Sequence, residues 1–316
     1  MKAAIVEAVG KAPEYGDFAE PVAASGKNLV QVTAAALSHV AISRASGSHY
    51  TSSRAFPFVA GLDGVGRLGD GRRVYFLLPE APYGSMAEKT IVPAAQCVVL
   101  PDGLEDITAA AMVIPGVSSW AAYKERAKLL FGETVLVNGA TGSAGRLAVQ
   151  IAKQLGAGKM IATGRNPQVL QSLKALGADV IIPIVEDADA LESAFKEQFA
   201  EGIDVIIDYL WGRTAELLLI AGAKAGRDLA PIRYVQVGSI SGESISLPSA
   251  VLRSSAITLM GSGMGSVPIG RYVNAIEEFL QAAVPARFEI ATKAVLLSEV
   301  ERNWAMDSKA RIVFVP

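Results

Sequence analysis

One cysteine, Cys97, and two histidines, His39 and His49, are all that a chain of 316 residues holds of the side chains that most often bind zinc. The single cysteine excludes an internal disulfide and any multi-cysteine zinc site, and the usual ligand set of a catalytic zinc is nearly absent. No metal is expected. Charge of one sign is equally scarce: 29 basic residues against 31 acidic ones leave a formal net charge of −2, with no long run of either sign. Neither nucleic acid nor an anionic membrane surface is indicated as a partner. The sequence has no uninterrupted apolar stretch of about 18 residues, the length that spans a bilayer. Its first residues meet Glu7 and Glu14 before a signal-peptide core forms. A cytoplasmic protein is expected.

What the chain does have is apolar sequence in regular alternation. With 51% hydrophobic and 19% charged residues it is long enough for two ordinary domains with separate cores. Up to about residue 118 the text is short β-rich runs broken by Gly and Pro, such as KAAIVE, LVQVTAAAL, DGVGRLGDGRRVYFLL, EKTIVP and CVVLP. They predict a compact, partly antiparallel β structure with tight turns. From Glu133 onward apolar strands alternate with helices expected over 143–155, 167–176, 189–199 and 214–224, the pattern of a doubly wound parallel sheet. The final segment, KAVLLSEVERNWAMDSKARIVFVP, returns to β character, so the chain is expected to go back and complete the first domain. The expected division is 1–118 plus 284–316 for that domain and 119–283 for the doubly wound one.

The first strand-to-helix turn of the sheet reads VNGATGSAGR, with Gly139, Gly142 and Gly145 three residues apart. Such spacing permits a tight turn, close backbone approach to a pyrophosphate and close packing of helix on strand, while N–H groups near Ser143 and Ala144 face the anion. A glycine-rich turn alone also reads as plain turn chemistry; the flanking strand, helix and further repeats favour a dinucleotide. About 20 residues on, an NAD site usually carries an acid for the ribose 2′-hydroxyl. Here IATGRNPQ places Gly164 in that position, with Arg165 and Asn166 beside it. A guanidinium binds a 2′-phosphate that a carboxylate would repel, so the expected cofactor is NADPH. The alternative for Arg165 is a solvated arginine at a strand end. Farther along, small or polar residues follow successive strands in DYLWG, VGSISG and GSGMG. Thr141 of the turn, Val237, Gly238 and Ser239, and Gly261, Ser262 and Gly263 complete the expected cofactor-binding set.

Together these residues resemble the medium-chain dehydrogenase/reductase superfamily, and within it the zinc-free NADPH:quinone reductase and enoyl reductase branch. The resemblance covers nearly the whole chain: VAGLDGVGRLGDGRRVYFL, YGSMAEKTIVP and AAAMVIPGVSSWAAY follow in the family's order, and NGATGSAGRLAVQIAKQLGA matches best. It implies a β-rich domain similar to GroES joined to a Rossmann NADPH-binding domain, with the active site in the cleft between them. Ser118 matches the family's hydroxyl residue near the nicotinamide. Two departures stand out. Gly61, Leu62 and Asp63 replace the Gly-His-Glu of zinc-dependent members, which makes oxidation of simple alcohols improbable. In ALSHVAISRASGSHY, Ser38 and Ala41 replace the Asn and Asp of quinone reductases. Ser38, Ser43 and Tyr50 are candidates for the pocket lining, with solvated loop residues as the plain alternative; His39 is read as a packed interior histidine and His49 as a loop residue. None of the eight tyrosines is followed by Lys at the Tyr-x-x-x-Lys distance of short-chain reductases.

The leading expectation is hydride transfer from NADPH to a quinone or other α,β-unsaturated carbonyl, with Ser118, Ser38 and Tyr50 on the substrate or nicotinamide side. An enoyl-thioester or polyketide reductase stays open, as does an NADPH-binding redox sensor with little turnover. A homodimer is expected, since ITLMG ends the sheet with an apolar edge that a second copy can pair with, the alternative being cover by the chain's own terminal helix.

Overall fold

The computed structural model describes residues 1–49, 52, 55–227, 230–304 and 310–316. It divides into two compact units, residues 1–114 with 276–316, and residues 115–275. The expected boundaries after 118 and 283 both fall inside continuous helices, Asp106–Ala121 and Ile269–Ala286, where no loop composition marks a change of unit.

In the first unit, β1 (Lys2–Val6) pairs antiparallel with β2 (Glu14–Asp17), and β3 (Lys27–Ala36) is the long central strand of a second sheet. Ser38 caps α1 (His39–Ser46), its side chain accepting from the Ala41 N–H at 3.0 Å, and Gly47 closes the helix in the left-handed region. The sequence reading makes this segment a loop. Its only fully buried positions are Ala41 and Ala45, one turn apart, so the apolar stripe that would announce a helix is small. His39 is exposed at the first turn, not packed in the interior. Then β4 (Phe58–Val59) pairs with β1, β5 (Asp63–Arg67) with both β3 and β6 (Arg73–Leu77), β7 (Lys89–Pro93) with β3, and β8 (Cys97–Val99) with β6, all antiparallel. The alternating Val30, Val32 and Ala34 of β3 face the core, as a half-buried strand requires.

α2 (Asp106–Ala121) leads into the second unit. There β9 (Thr134–Asn138), α3 (Ser143–Gln154), β10 (Lys159–Gly164), α4 (Pro167–Ser172), β11 (Val180–Pro183), α5 (Ala188–Glu201), β12 (Val205–Asp208), α6 (Gly212–Ala225), β13 (Ile232–Gln236), α7 (Ser249–Arg253) and β14 (Ile257–Gly261) follow in turn. Among the described residues the sheet has six strands in the order β11-β10-β9-β12-β13-β14, all parallel. Its register aligns Ile161, Leu136, Ile206 and Tyr234 in a row across the strands. Phe195, Phe199, Leu218 and Leu219 of α5 and α6 cover that row, each fully buried. Burial of each such side chain contributes roughly 1.5–3 kcal/mol. The strand order reverses direction between β9 and β12, which makes the carboxyl ends of these two strands the switch point where ligands of open α/β sheets bind.

After α8 (Ile269–Ala286) the chain returns to the first unit as β15 (Thr292–Leu296) and β16 (Arg311–Val315), which pair in parallel, β16 also lying antiparallel to β3. The six-stranded parallel sheet of the second unit and the antiparallel and mixed sheets of the first give the expected α/β class with a Rossmann-like parallel sheet and a separate sheet unit.

Candidate functional site

A buried polar network underlies the carboxyl end of β9. Asn138 Nδ2 donates to Asp208 Oδ1 at 2.7 Å and to Thr214 Oγ1 at 3.1 Å, while Thr163 Oγ1 donates to Asn138 Oδ1 at 2.7 Å. Thr163 in turn holds the glycine turn: its Oγ1 accepts from the Gly139 N–H at 3.1 Å and its carbonyl from the Ala140 N–H at 2.8 Å. Three neighbouring strands therefore fix the turn through side chains that are wholly buried.

Gly139 adopts φ +87°, and a Cβ there would overlap the Leu210 side chain, so the turn needs glycine on both counts. Gly145 faces the Gly139 carbonyl and the Ala140 backbone with no room for a side chain, which brings α3 onto the turn. Gly142 is the N-cap of α3 and supplies no capping side chain. The first-turn N–H groups, at Ser143 and Ala144, are thus left uncapped at the positive end of a twelve-residue helix. Space and donors together form a cradle for a pyrophosphate.

At the end of β10, Gly164 packs against Thr141. A Cβ at 164 would overlap the Thr141 methyl group and lie 3.1 Å from its Oγ1. The acid of an NAD site is therefore absent for a steric reason as well as an electrostatic one. Arg165 is exposed, with no hydrogen-bond or ion-pair partner among the described residues. Asn166 is engaged in the fold, where its Oδ1 accepts from the Val169 N–H at 3.0 Å and caps α4.

The carboxyl ends of β12, β13 and β14 border an open depression of about 370 Å³ lined by Trp211, Gln236, Ser239, Glu243, Leu259, Met260 and Gly261. Ser239 and Gly261 are exposed there, and Gly261 has open space where a Cβ would stand. Val237 and Gly238 are half-buried, their N–H groups donating to the Asp208 carbonyl. Ser262 is buried and donates its N–H to Gln236 at 2.8 Å, while the Gly263 N–H donates to Ser266 Oγ. Asp208 itself is occupied: its carboxylate accepts from the Leu210 and Trp211 N–H groups, from Asn138 and from the Tyr234 hydroxyl. Burial pushes its carboxyl up despite these donors. Trp211, held by that carboxylate, sits at φ +58°, a strained conformation for a side chain of its bulk, beside the depression.

Ser118 Oγ donates to the Pro115 carbonyl at 2.8 Å. Its neighbour Ser119, fully buried, lies 2.6 Å from the hydroxyl of Tyr209, the residue directly after β12. Burial pushes the Tyr209 phenol up to about 12, against hydrogen bonds from Ser119 and Ser118. The sequence reading misses Tyr209 because its partner lies ninety residues away on another element. In the first unit Ser38 spends its acceptor on the α1 cap, and Ser43 donates to the Val40 carbonyl. Tyr50 lies outside the described residues. Asp63 is buried beside the Tyr75 hydroxyl, which donates to it at 3.0 Å. Burial pushes its carboxyl up to about 7, opposed by the nearby Arg311 charge and the Tyr75 bond.

A family model described as zinc-binding dehydrogenase matches residues 144–282. The residues present do not fit a zinc ion: among the described residues no three His, Cys, Asp or Glu side chains are grouped to share a metal. The probable NADPH-dependent quinone reductase tdiC of Emericella nidulans is 30% identical to the chain over 354 aligned positions, covering 96% of the chain and 96% of that protein. Prostaglandin reductase-3 of Mus musculus is 26% identical over 267 positions, 81% of the chain and 67% of that protein. The quinone oxidoreductase of Thermus thermophilus, also solved in complex with NADPH, has a TM-score of 0.83 to the chain at 26% identity, over 100% of both chains.

Proposed function

The chain belongs to the medium-chain dehydrogenase/reductase superfamily, in its quinone oxidoreductase branch, and on that premise we propose that it reduces a quinone or another α,β-unsaturated carbonyl compound with NADPH. It is an oxidoreductase, and its dinucleotide is NADPH. The observation that carries the reading is the cradle at the carboxyl end of β9: space at Gly142, uncapped N–H groups at Ser143 and Ala144, no room for an acid at 164, and an Arg165 with no partner among the described residues. When bound there, NADPH supplies the hydride for the reduction.

The chain's own residues bind and orient. Gly139, Gly142 and Gly145 admit the pyrophosphate to the start of α3, and the Arg165 guanidinium takes the 2′-phosphate through paired charge-assisted hydrogen bonds. Ser239 and Gly261 line the depression on the nicotinamide side, with Gly238, Ser262 and Gly263 next to them in the chain. Ser118, held by the Pro115 carbonyl and backed by the Ser119–Tyr209 pair, presents a hydroxyl near the carboxyl end of β12. The first unit binds the acceptor. Among the described residues no helix is long and apolar enough to cross a membrane; the reading keeps the protein in the cytoplasm. A homodimer forms along β14, which pairs only with β13 among the described residues and leaves Leu259 exposed.

The test follows nicotinamide absorbance with the purified protein, using phenanthrenequinone and benzylideneacetone as acceptors and NADH in parallel. Acceptor-dependent oxidation of NADPH, much slower with NADH, is expected. Binding of NADPH without turnover on either acceptor overturns the reductase reading and leaves an NADPH-binding protein of another kind.

A further inference from the structure

In the first unit, α1, β4 and the loop after β6 border a second cavity, of about 80 Å³, lined by Ala41, Arg44, Phe58, Val59, Pro79, Pro82 and Tyr83 among others. The lining is apolar apart from one cation. Arg44 is half-buried, and its guanidinium has no hydrogen-bond or ion-pair partner among the described residues. Other sheltered arginines are matched: Arg73 rests on Asp106 at 2.5 Å, Arg233 on Glu133 at 2.5 Å, and Arg311 lies in the field of Asp63.

Two ordinary ways of satisfying Arg44 are closed. The helix end it sits on offers the Ser43 and Arg44 carbonyls, but these already accept from the N–H groups of Gly47, Ser48 and His49 and from the Ser46 hydroxyl. Glu80, on the loop that walls the cavity, is tied to Lys27. The next residues in sequence, Tyr-Thr-Ser-Ser-Arg at 50–54, add no carboxylate. Burial alone pushes the Arg44 guanidinium down with no acidic group opposing it, and burial together with the Arg44 charge pushes His49 down. A guanidinium drawn out of water without a counter-charge is unfavourable unless an anion joins it.

We propose that this cavity binds the carboxylate of an apolar organic acid, with Arg44 as its anchor. A planar carboxylate matches the guanidinium fork through two parallel N–H···O bonds. The cavity has room for that head and its first carbons, and the apolar body of the acid packs on Phe58, Pro79, Pro82 and Tyr83. Resting on the reductase reading, the preferred acceptor is a conjugated carbonyl compound that carries a carboxylate remote from the bond reduced.

The test uses benzoylacrylate, an enone acid, and its methyl ester. Binding of each to the full-length protein is measured by calorimetry without NADPH, and turnover of each is measured with it. Wild type is expected to bind the acid at least tenfold more tightly than the ester. Arg44→Gln should abolish that ratio without changing ester binding, and Arg44→Lys, which keeps the charge and loses the fork, should restore part of it. Equal binding of acid and ester to wild type, or an acid preference that survives Arg44→Gln, overturns the proposal. Acid-selective binding with no NADPH oxidation by benzoylacrylate, phenanthrenequinone or benzylideneacetone keeps the cavity assignment and refutes the reductase reading. Turnover with no acid preference does the reverse.

Discussion

The turn after β9 and the segment around α1 both bear candidate binding groups, but they are built differently. At the turn the ligand-facing groups are backbone N–H donors and empty space, and the side chains beneath them, Asn138, Thr163 and Asp208, are buried and fully engaged with one another. Around α1 the groups that could select a ligand are side chains, and one of them, the half-buried Arg44, lacks a partner among the described residues. A site made of backbone tolerates few sequences and serves any acceptor. A site made of side chains is free to change with the acceptor, and Ser38 and Ala41 stand where the resemblance implies Asn and Asp.

The largest effect should come from filling the cradle. The nearest atom to a Cβ at Gly142 is the Gly139 carbonyl oxygen at 4.0 Å, so the free protein has room that the pyrophosphate would use. Gly142→Val should change unfolding free energy by no more than about 1 kcal/mol and weaken NADPH binding roughly 100-fold, read by denaturant titration and by NADPH fluorescence. Parallel losses in stability and affinity would mean that the glycine serves the fold.

The Thr141–Gly164 contact sharpens the contrast. Gly164→Asp alone should lose about 1–3 kcal/mol through overpacking against the Thr141 methyl and gain no affinity for NADH. Adding Thr141→Ala leaves only that residue's Cβ, 3.2 Å from the new Cβ. The pair should recover most of the stability and bind NADH, with the coupling measured by a double-mutant cycle. Additive effects would show that the two residues do not exclude each other.

How much of this is legible in the sequence follows from the same contrast. Gly139, Gly142 and Gly145 announce themselves because the backbone path itself demands glycine, and the strands beside them carry the unbroken apolar runs of a sheet covered on both faces. The α1 helix is hidden because its buried face is only Ala41 and Ala45, although Ser38 before it and Gly47 after it are proper cap signals. DYLWG reads as a strand end facing ribose, whereas Asp208 turns inward to hold Trp211 and Tyr234; nothing local distinguishes an inward carboxylate from an outward one. Tyr209 and Ser119 meet only through the tertiary fold.

Smaller effects probe the supports. Tyr209→Phe removes the bond to Ser119 and should cost about 1 kcal/mol, measured by denaturant unfolding. Asp63 should leave a pH signature in the first unit. Its folded-state carboxyl, near 7, retains a proton that the unfolded chain releases at ordinary carboxylate values. Its contribution to stability is therefore present at low pH, declines as pH rises through the interval between about 4 and 7, and is lost above it. Asp63→Asn should flatten that slope in unfolding free energy; an unchanged slope would place the titration elsewhere.

The most direct test of the central claim is the affinity of the protein for NADPH and for NADH, before and after Arg165→Gln. The account predicts NADPH bound at least tenfold more tightly by wild type, with most of that preference, about 1.5–3 kcal/mol for hydrogen bonds to a charged group, gone in the variant. Equal affinity for the two dinucleotides in wild type, or a preference that survives the substitution, would contradict it.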